Sequence, residues 1–208
     1  MKFEEDFFNL LGKLKRNEPF AYTRFSDGEI CVMQDKELKL ADDHVVMGET
    51  HYSFGYSSDD HKHYDPKQHG FLKDILIEAY KYKKENYFVG GVCKGCTCAS
   101  KEFAPWMHEL YGQVDDNLTS ANLLVNSNYP LFIGHFIPEL KKKKVVFICS
   151  ENADLSNSDF DVIKDFRVGK NCIVNDHHLV EEIKQWVDEN NIKDHVFLLS
   201  ASSLSEVL

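Results

Sequence analysis

The chain alternates amphipathic helical segments with short apolar runs, and this alternation restricts the fold more than any other feature of the sequence. Apolar side chains recur with helical 3-4 spacing in four segments, residues 3–15, 71–80, 103–110 and 179–187. Between them lie apolar runs without strict polar alternation, at residues 87–92, 143–149 and 196–199. Such runs are typical of strands buried on both faces, and strands of that kind alternating with helices predict an α/β fold with a mainly parallel sheet flanked by helices.

Chain length and charge narrow the classes of function. With 208 residues, the chain fits a single domain over residues 1–208. Its 24 Lys and Arg against 34 Asp and Glu give a net charge of −10, which argues against nucleic acid as a partner because phosphate backbones attract cationic surfaces. The sequence contains no run of about 18 apolar residues, the length that a transmembrane helix requires. The acidic N-terminus lacks the basic region of a signal peptide, so we expect a cytoplasmic protein.

The last residues leave two alternatives open. Ser203 and Ser205 begin a helical pattern that Leu208 ends after little more than a turn. A helix of that length is unstable alone, so the C-terminus is either a frayed tail or part of a longer protein that continues past Leu208. In the second case the chain is an incomplete, C-terminally truncated catalyst.

Two clusters contain residue types that bind metals. Cys93, Cys96 and Cys98 could share a zinc ion, although a fourth ligand is not evident and reduced packing thiols are the simpler interpretation. His61 and His63 lie in a polar segment, residues 42–70, that we predict to be a long loop. A solvated loop is favoured there over a metal site, because ordering the ligands would cost conformational entropy.

The six residues Arg-Phe-Ser-Asp-Gly-Glu at positions 24–29 are the most informative motif. They follow a predicted strand, the position at which α/β proteins keep ligand crevices. Asp27 and Glu29 could hold a hard divalent cation against a diphosphate, and Arg24 could pair with a phosphate oxygen. A solvated turn with Asp27 as helix cap, Glu29 in the first helical turn and Arg24 in a surface ion pair is the alternative, and spacing alone favours it.

Further polar positions follow other predicted strands. Backbone N–H groups at Gly90 and Gly91 could cradle a diphosphate, or the pair could be a structural turn. Neutral asparagine amides could both donate hydrogen bonds to a ligand and accept them from it, or could cap the short segment 121–125; these are Asn122, Asn126 and Asn128. Four side chains that could act as a general base follow strand ends: Glu151, Asp154, Asp176 and His177. We take Glu151 as the catalytic candidate together with Asp27 and Glu29.

Residues 24–29 resemble the Arg-Phe-Gly-Asp-Gly-Glu signature of GT-D fold glycosyltransferases, whose Asp-x-Glu motif is associated with metal and nucleotide-sugar binding. Four further segments are similar to strands and loops of that family: residues 87–93, 120–129, 145–152 and 197–201. Ser26 replaces the usual glycine of the signature. The strand near an Asp-x-Gly with which the family's fold ends is absent.

The resemblance implies a GT-D (Rossmann-like) fold and a metal-dependent glycosyltransferase. Such an enzyme would move a hexose from a nucleotide diphosphate sugar, in particular a UDP-sugar, to a glycan or carbohydrate acceptor. Mn²⁺ or Mg²⁺ would be held by Asp27 and Glu29. The donor would be bound by Arg24, Gly90, Gly91, Asn122, Asn126 and Asn128. A non-catalytic sugar-nucleotide or metal-binding module and a metal-dependent phosphohydrolase are the alternatives.

Overall fold

The computed structural model describes residues 3–91 and 103–208, which form an α/β fold. The helices are α1 (Phe3–Arg16), α2 (Asp27–Met33), α3 (Pro66–His69), α4 (Phe71–Lys81), α5 (Ala104–Tyr111), α6 (Tyr129–Leu131), α7 (Ile137–Leu140), α8 (Cys172–Asn175) and α9 (Leu179–Glu189). The strands are β1 (Ala21–Arg24), β2 (Leu38–Met47), β3 (Thr50–Tyr64), β4 (Tyr87–Gly91), β5 (Leu118–Ser120), β6 (Lys144–Ser150), β7 (Asp161–Val168) and β8 (Val196–Leu199).

The parallel strands form two sheets of three strands each within the described residues. The first sheet has the order β1-β4-β5 and the second has the order β7-β6-β8. Strands β2 and β3 pair with each other as an antiparallel hairpin. The predicted α/β class, with parallel strands flanked by helices, is therefore confirmed. The parallel pairing is divided between two sheets.

Amphipathic helices supply much of the core. Helix α4 buries Leu72, Leu76 and Tyr80, which recur every four residues and so lie on one face. They pack with the core under the first sheet, whereas α9 packs its apolar face on the second sheet. A third cluster connects the two sheets, because it contains Phe88 of β4 and is contacted by Leu198 of β8. Among the described residues no helix has the length and apolar character needed to cross a membrane.

The loop predicted for residues 42–70 is wrong. Most of that segment is the hairpin of β2 and β3, which turns at Gly48, where φ is +60°. A paired hairpin satisfies its backbone hydrogen bonds internally, so it does not need the apolar alternation that reveals a half-buried strand. The hairpin is held to the second sheet by Asn171, whose side chain accepts a hydrogen bond from His63 N and donates one to His63 O.

A second difference lies in the part of the chain that follows β6. The short apolar run at residues 172–174 predicts a strand, but these residues belong to helix α8, and the strand in this part of the chain is β7. Strand β7 is an edge strand and carries charged side chains on exposed positions, such as Asp161 and Arg167. Those charges hide the apolar run that the sequence would need to indicate a strand.

The C-terminal residues are packed. Residues 202–206 form a 3₁₀ helix, and Leu204 is completely buried among residues of the second sheet and α9. Of the two alternatives for this region, the frayed tail is therefore wrong for residues 202–206. We call residues 200–206 the closing segment.

Candidate functional site

A pocket lies at the carboxyl ends of the second sheet. It is lined by residues at or just after the ends of the three strands, by one side chain of β3 and by the first residues of α8. The lining residues are Lys62, Ser150, Glu151, Asn152, Val168, Gly169, Lys170, Cys172, Ile173, Ser200, Ala201 and Ser202. It contains about 510 Å³ of space, counting the solvent at its mouth. Ligand sites of parallel α/β folds lie at such strand ends. The candidate base Glu151 is part of this pocket.

The Glu29 carboxylate is tied into the fold at the start of α2. Its Oε2 accepts a hydrogen bond of 2.9 Å from Ser26 N, the backbone contact that a capping box makes. Its Oε1 accepts a bond of 2.6 Å from the Ser203 hydroxyl of the closing segment. Only 7% of Glu29 is exposed. The helix-capping interpretation thus holds for Glu29, and Ser203 adds a tertiary contact to it.

Arg24 and Asp27 flank this carboxylate. The Arg24 guanidinium donates from Nε to Ala121 O and from Nη2 to Ser26 Oγ, both at 3.0 Å. It therefore links the end of β1 to the segment after β5. Asp27 is the first residue of α2 and is half-buried. Side chains two positions apart on a helix point in different directions, so Asp27 and Glu29 do not share one face.

A second buried carboxyl group, Glu206, interacts with Glu29. Glu206 Oε2 is shielded from solvent and has no hydrogen-bond partner among the described residues. Burial and the charge of Glu29 hold the pKa of Glu206 well above its ordinary value of 4.5, against the opposing effects of Lys62 and Arg24. Low-dielectric surroundings and a neighbouring like charge both disfavour a second carboxylate. Both effects favour the neutral form of Glu206.

We expect Glu206→Gln to stabilise the protein at high pH and to leave its stability nearly unchanged at pH 4. The folded chain holds the Glu206 proton more tightly than the unfolded chain does. The stability that this proton contributes to the folded state is therefore complete below pH 4.5 and is lost as the pH rises through the folded-state pKa. An amide carries no charge to be repelled. The variant should therefore gain stability over wild type by about 1.4 kcal/mol per pH unit between pH 4.5 and the folded-state pKa of Glu206.

Urea denaturation between pH 4 and pH 8, with EDTA present, measures this difference. Glu181→Gln, an exposed glutamate on α9, is the control and should show no difference that grows with pH. A gap between Glu206→Gln and wild type that stays constant over this range would contradict the neutral Glu206.

The two glycines that end β4, Gly90 and Gly91, each lie close to a tyrosine side chain. A Cβ at Gly90 would lie 2.8 Å from Thr23 O and 2.9 Å from the Tyr22 hydroxyl. A Cβ at Gly91 would lie 2.9 Å from the Tyr80 hydroxyl. Both positions require glycine for packing, and their carbonyl oxygens accept backbone bonds from residues 25 and 121. That both bind a diphosphate stays a prediction.

The three asparagines lie after β5 and bond to one another. Asn126 Nδ2 donates to Asn122 Oδ1, and Asn128 Nδ2 donates to Asn122 O, both at 2.7 Å. Asn126 has a positive φ of 56°, which asparagine tolerates better than most residues. These bonds close the turn that follows Ala121, the residue whose carbonyl oxygen Arg24 contacts. A role in donor binding stays a prediction.

The closing segment connects the two groups of candidate residues. Ser203 bonds to Glu29 beside the first sheet, while Ser200, Ala201 and Ser202 line the pocket of the second sheet. In the sequence Ser203 is only the start of a helical pattern, and no motif points to Glu206 or Lys62. No local pattern could have identified them, because Glu29 and Ser203 are 174 positions apart.

Comparison with known proteins bears on the fold. No protein-family model matches the chain, and no curated protein matches it. A solved structure described by the words "The highly conserved domain of unknown function 1792 has a distinct glycosyltransferase fold" is similar over 97% of this chain and 70% of its own, with a TM-score of 0.53 and 16% sequence identity. This chain has a glycosyltransferase-like fold. Its reaction has to be argued from the site, because one fold serves many activities.

The described side chains fit a divalent ion only in part. They contain no group of three or more His, Cys, Asp or Glu residues that could enclose one. Mg²⁺ needs no such cage when one or two carboxylates and substrate phosphates complete its shell. Asp27 could serve in that way, and each Glu29 oxygen keeps a second lone pair beside its bond to the protein. The cluster Cys93, Cys96 and Cys98 lies outside the described residues.

Proposed function

We propose that this protein is a metal-dependent glycosyltransferase that moves a hexose from a nucleotide diphosphate sugar, in particular a UDP-sugar, to a glycan or carbohydrate acceptor. One observation supports it most: Glu151 lies in a pocket at the carboxyl ends of parallel strands in a glycosyltransferase-like fold. A carboxylate in such a pocket can accept a proton from an acceptor hydroxyl.

Glu151 is the base in this reaction. As the acceptor oxygen attacks the anomeric carbon, its proton passes to the Glu151 carboxylate. The bond between that carbon and the diphosphate oxygen breaks, and the nucleoside diphosphate leaves with the bonding electrons. Glu151 follows β6, and its backbone N–H donates to Val168 O, which fixes the chain at the edge of the pocket.

Asp27 has the role of the direct metal ligand in the proposal, and Glu29, which points in a different direction, would contribute through a water molecule bound to the ion. A bound Mn²⁺ or Mg²⁺ would neutralise negative charge on the departing diphosphate. Arg24 keeps the end of β1 and the segment after β5 together, and so positions α2 for this role. Glu29 also holds α2 to the closing segment through Ser203.

We expect Asp27→Asn to weaken metal-dependent binding of UDP-sugar by at least about tenfold while leaving the fold intact. Asparagine has the shape of aspartate but lacks the charge that a divalent ion selects. Calorimetric titration with UDP-glucose, with and without Mn²⁺, measures the effect. Asp74→Asn is the matched control, because Asp74 is an exposed aspartate in the first turn of α4. Equal metal-dependent affinity in Asp27→Asn and Asp74→Asn would remove Asp27 from the site.

Glu29→Gln is a less selective test than the motif alone suggests. Both Glu29 oxygens accept hydrogen bonds from the protein, and an amide nitrogen cannot accept. We therefore expect the Gln variant to lose stability as well as affinity. The Asp27 variant separates the two effects.

UDP release separates the proposed transferase from its rivals. A panel of UDP-sugars is incubated with the protein and Mn²⁺, with and without a mixture of oligosaccharide acceptors. Release that requires an acceptor supports the transferase. Release without an acceptor indicates a metal-dependent phosphohydrolase, and binding without release indicates a non-catalytic module.

A further inference from the structure

The pocket of the second sheet combines cations with neutral hydrogen-bonding groups. Lys62 and Lys170 are its two basic side chains, and its hydroxyls come from Ser150, Ser200 and Ser202. Lysine ammonium groups and serine hydroxyls both donate hydrogen bonds to phosphate oxygens. Two lysines against the single acid Glu151 give the lining a net positive charge, in a chain whose total charge is −10.

Ser202 has two features that ordinary packing does not account for. Its φ is +52°, in the left-handed region that costs a non-glycine residue free energy. Its hydroxyl oxygen is buried and has no hydrogen-bond partner among the described residues. A buried hydroxyl without a partner costs about 1–3 kcal/mol. Ser202 lines the pocket, so a rotation of its side chain that turns the hydroxyl toward a ligand oxygen there would satisfy this group.

The candidate residues of the first sheet already make close contacts within the protein. A Cβ at Gly90 would lie 2.9 Å from the Tyr22 hydroxyl and one at Gly91 would lie 2.9 Å from the Tyr80 hydroxyl, so tyrosine rings occupy the side-chain positions of both glycines. The Arg24 guanidinium already donates to Ala121 O and Ser26 Oγ. The chemistry for binding phosphate is thus concentrated at the other sheet.

We propose that the pocket of the second sheet binds a diphosphate group, with Lys62 and Lys170 as its cations and the Ser202 hydroxyl as a hydrogen-bond donor. This inference rests on the proposed function, and it assigns the diphosphate of the leaving group to this pocket. A diphosphate could come from a nucleotide donor or from a pyrophosphate-linked acceptor, and the two share this recognition chemistry.

Calorimetric titration with inorganic pyrophosphate tests the pocket without requiring turnover. We expect wild type to bind pyrophosphate and Lys170→Gln to raise its Kd about tenfold, the value of one charge-assisted hydrogen bond. Lys62→Gln should also raise the Kd of pyrophosphate. Lys184→Gln removes the same charge from an exposed position on α9, outside the pocket, and is the control. Pyrophosphate that does not bind, or binds equally to the Lys170 and Lys184 variants, would overturn the proposal.

Two substitutions at Ser202 separate binding from backbone strain. Ser202→Ala removes the hydroxyl and keeps the Cβ, whereas Ser202→Gly also relieves the positive φ. We expect both to weaken pyrophosphate binding several-fold, and only the Gly variant to raise the melting temperature. Wild-type affinity in both variants would show that Ser202 plays no part in binding and would overturn its assignment.

Titration with UDP identifies the source of the diphosphate. UDP that displaces pyrophosphate and loses affinity in Lys170→Gln indicates the nucleotide donor. Pyrophosphate binding that UDP does not displace indicates the acceptor. If Lys170 controls pyrophosphate binding but no sugar is transferred, the pocket assignment stands and the proposed function fails. If transfer occurs and Lys170→Gln binds pyrophosphate like wild type, the pocket assignment fails alone.

Discussion

Replacing Glu151 by glutamine is expected to lower the turnover rate of sugar transfer by a factor of about 10² to 10⁴, the usual contribution of a general base. The amide cannot accept the acceptor proton. Donor binding should not weaken, because removing a carboxylate from a pocket that contains Lys62 and Lys170 removes repulsion toward a diphosphate. Steady-state kinetics with a UDP-sugar and an acceptor, combined with calorimetry of UDP, measures both quantities.

Asp154→Asn is the matched control for that substitution. Asp154 lies in the same loop after β6 but does not line the pocket, and its Oδ1 accepts a bond from Ser156 N that asparagine can also accept. Its turnover should stay within about twofold of wild type. If Glu151→Gln and Asp154→Asn have the same turnover, Glu151 is not the base.

Leu204→Ala is expected to lower the free energy of unfolding by about 2–5 kcal/mol, as other large-to-small changes in buried cores do. Leu204 is completely buried and packs on the second sheet and α9. It also anchors the closing segment, so the bond between Ser203 and Glu29 should weaken with it. Urea denaturation gives the change in stability.

The control for Leu204 is four residues further along the chain. Leu208 is 36% exposed, and Leu208→Ala should cost less than about 1 kcal/mol. A loss below 1 kcal/mol in Leu204→Ala as well would mean that the closing segment contributes little to the fold in solution.

The elements that could be predicted from the sequence are those whose signal is local. Helices α4 and α9 have apolar side chains at helical spacing, and strands β4, β6 and β8 contain apolar runs. The start of α3 was also predictable: Asp65 caps it by accepting a bond from Lys67 N, with Pro66 at the first position. In such segments the spacing of the apolar residues indicates directly whether one face or both faces are buried.

Other elements could not be predicted because their stability comes from partners far along the chain. The hairpin is polar and is paired with itself, and β7 carries charges because it is an edge strand. In the candidate site, the position of Asp27 and Glu29 at the start of α2 was predictable from the motif. The contact of Glu29 with Ser203 and the raised pKa of Glu206 arise only when the closing segment packs against α2.

The separation of 174 positions between Glu29 and Ser203 also has a consequence for the order of folding. Contacts between residues distant in sequence close large loops, and they form late because the entropy of closure must be overcome first. During synthesis α2 leaves the ribosome long before Ser203 has been added to the chain. A nascent chain therefore carries the Asp27 and Glu29 pair without its Ser203 contact, and the two halves of the site meet only after the polypeptide has been translated past residue 203.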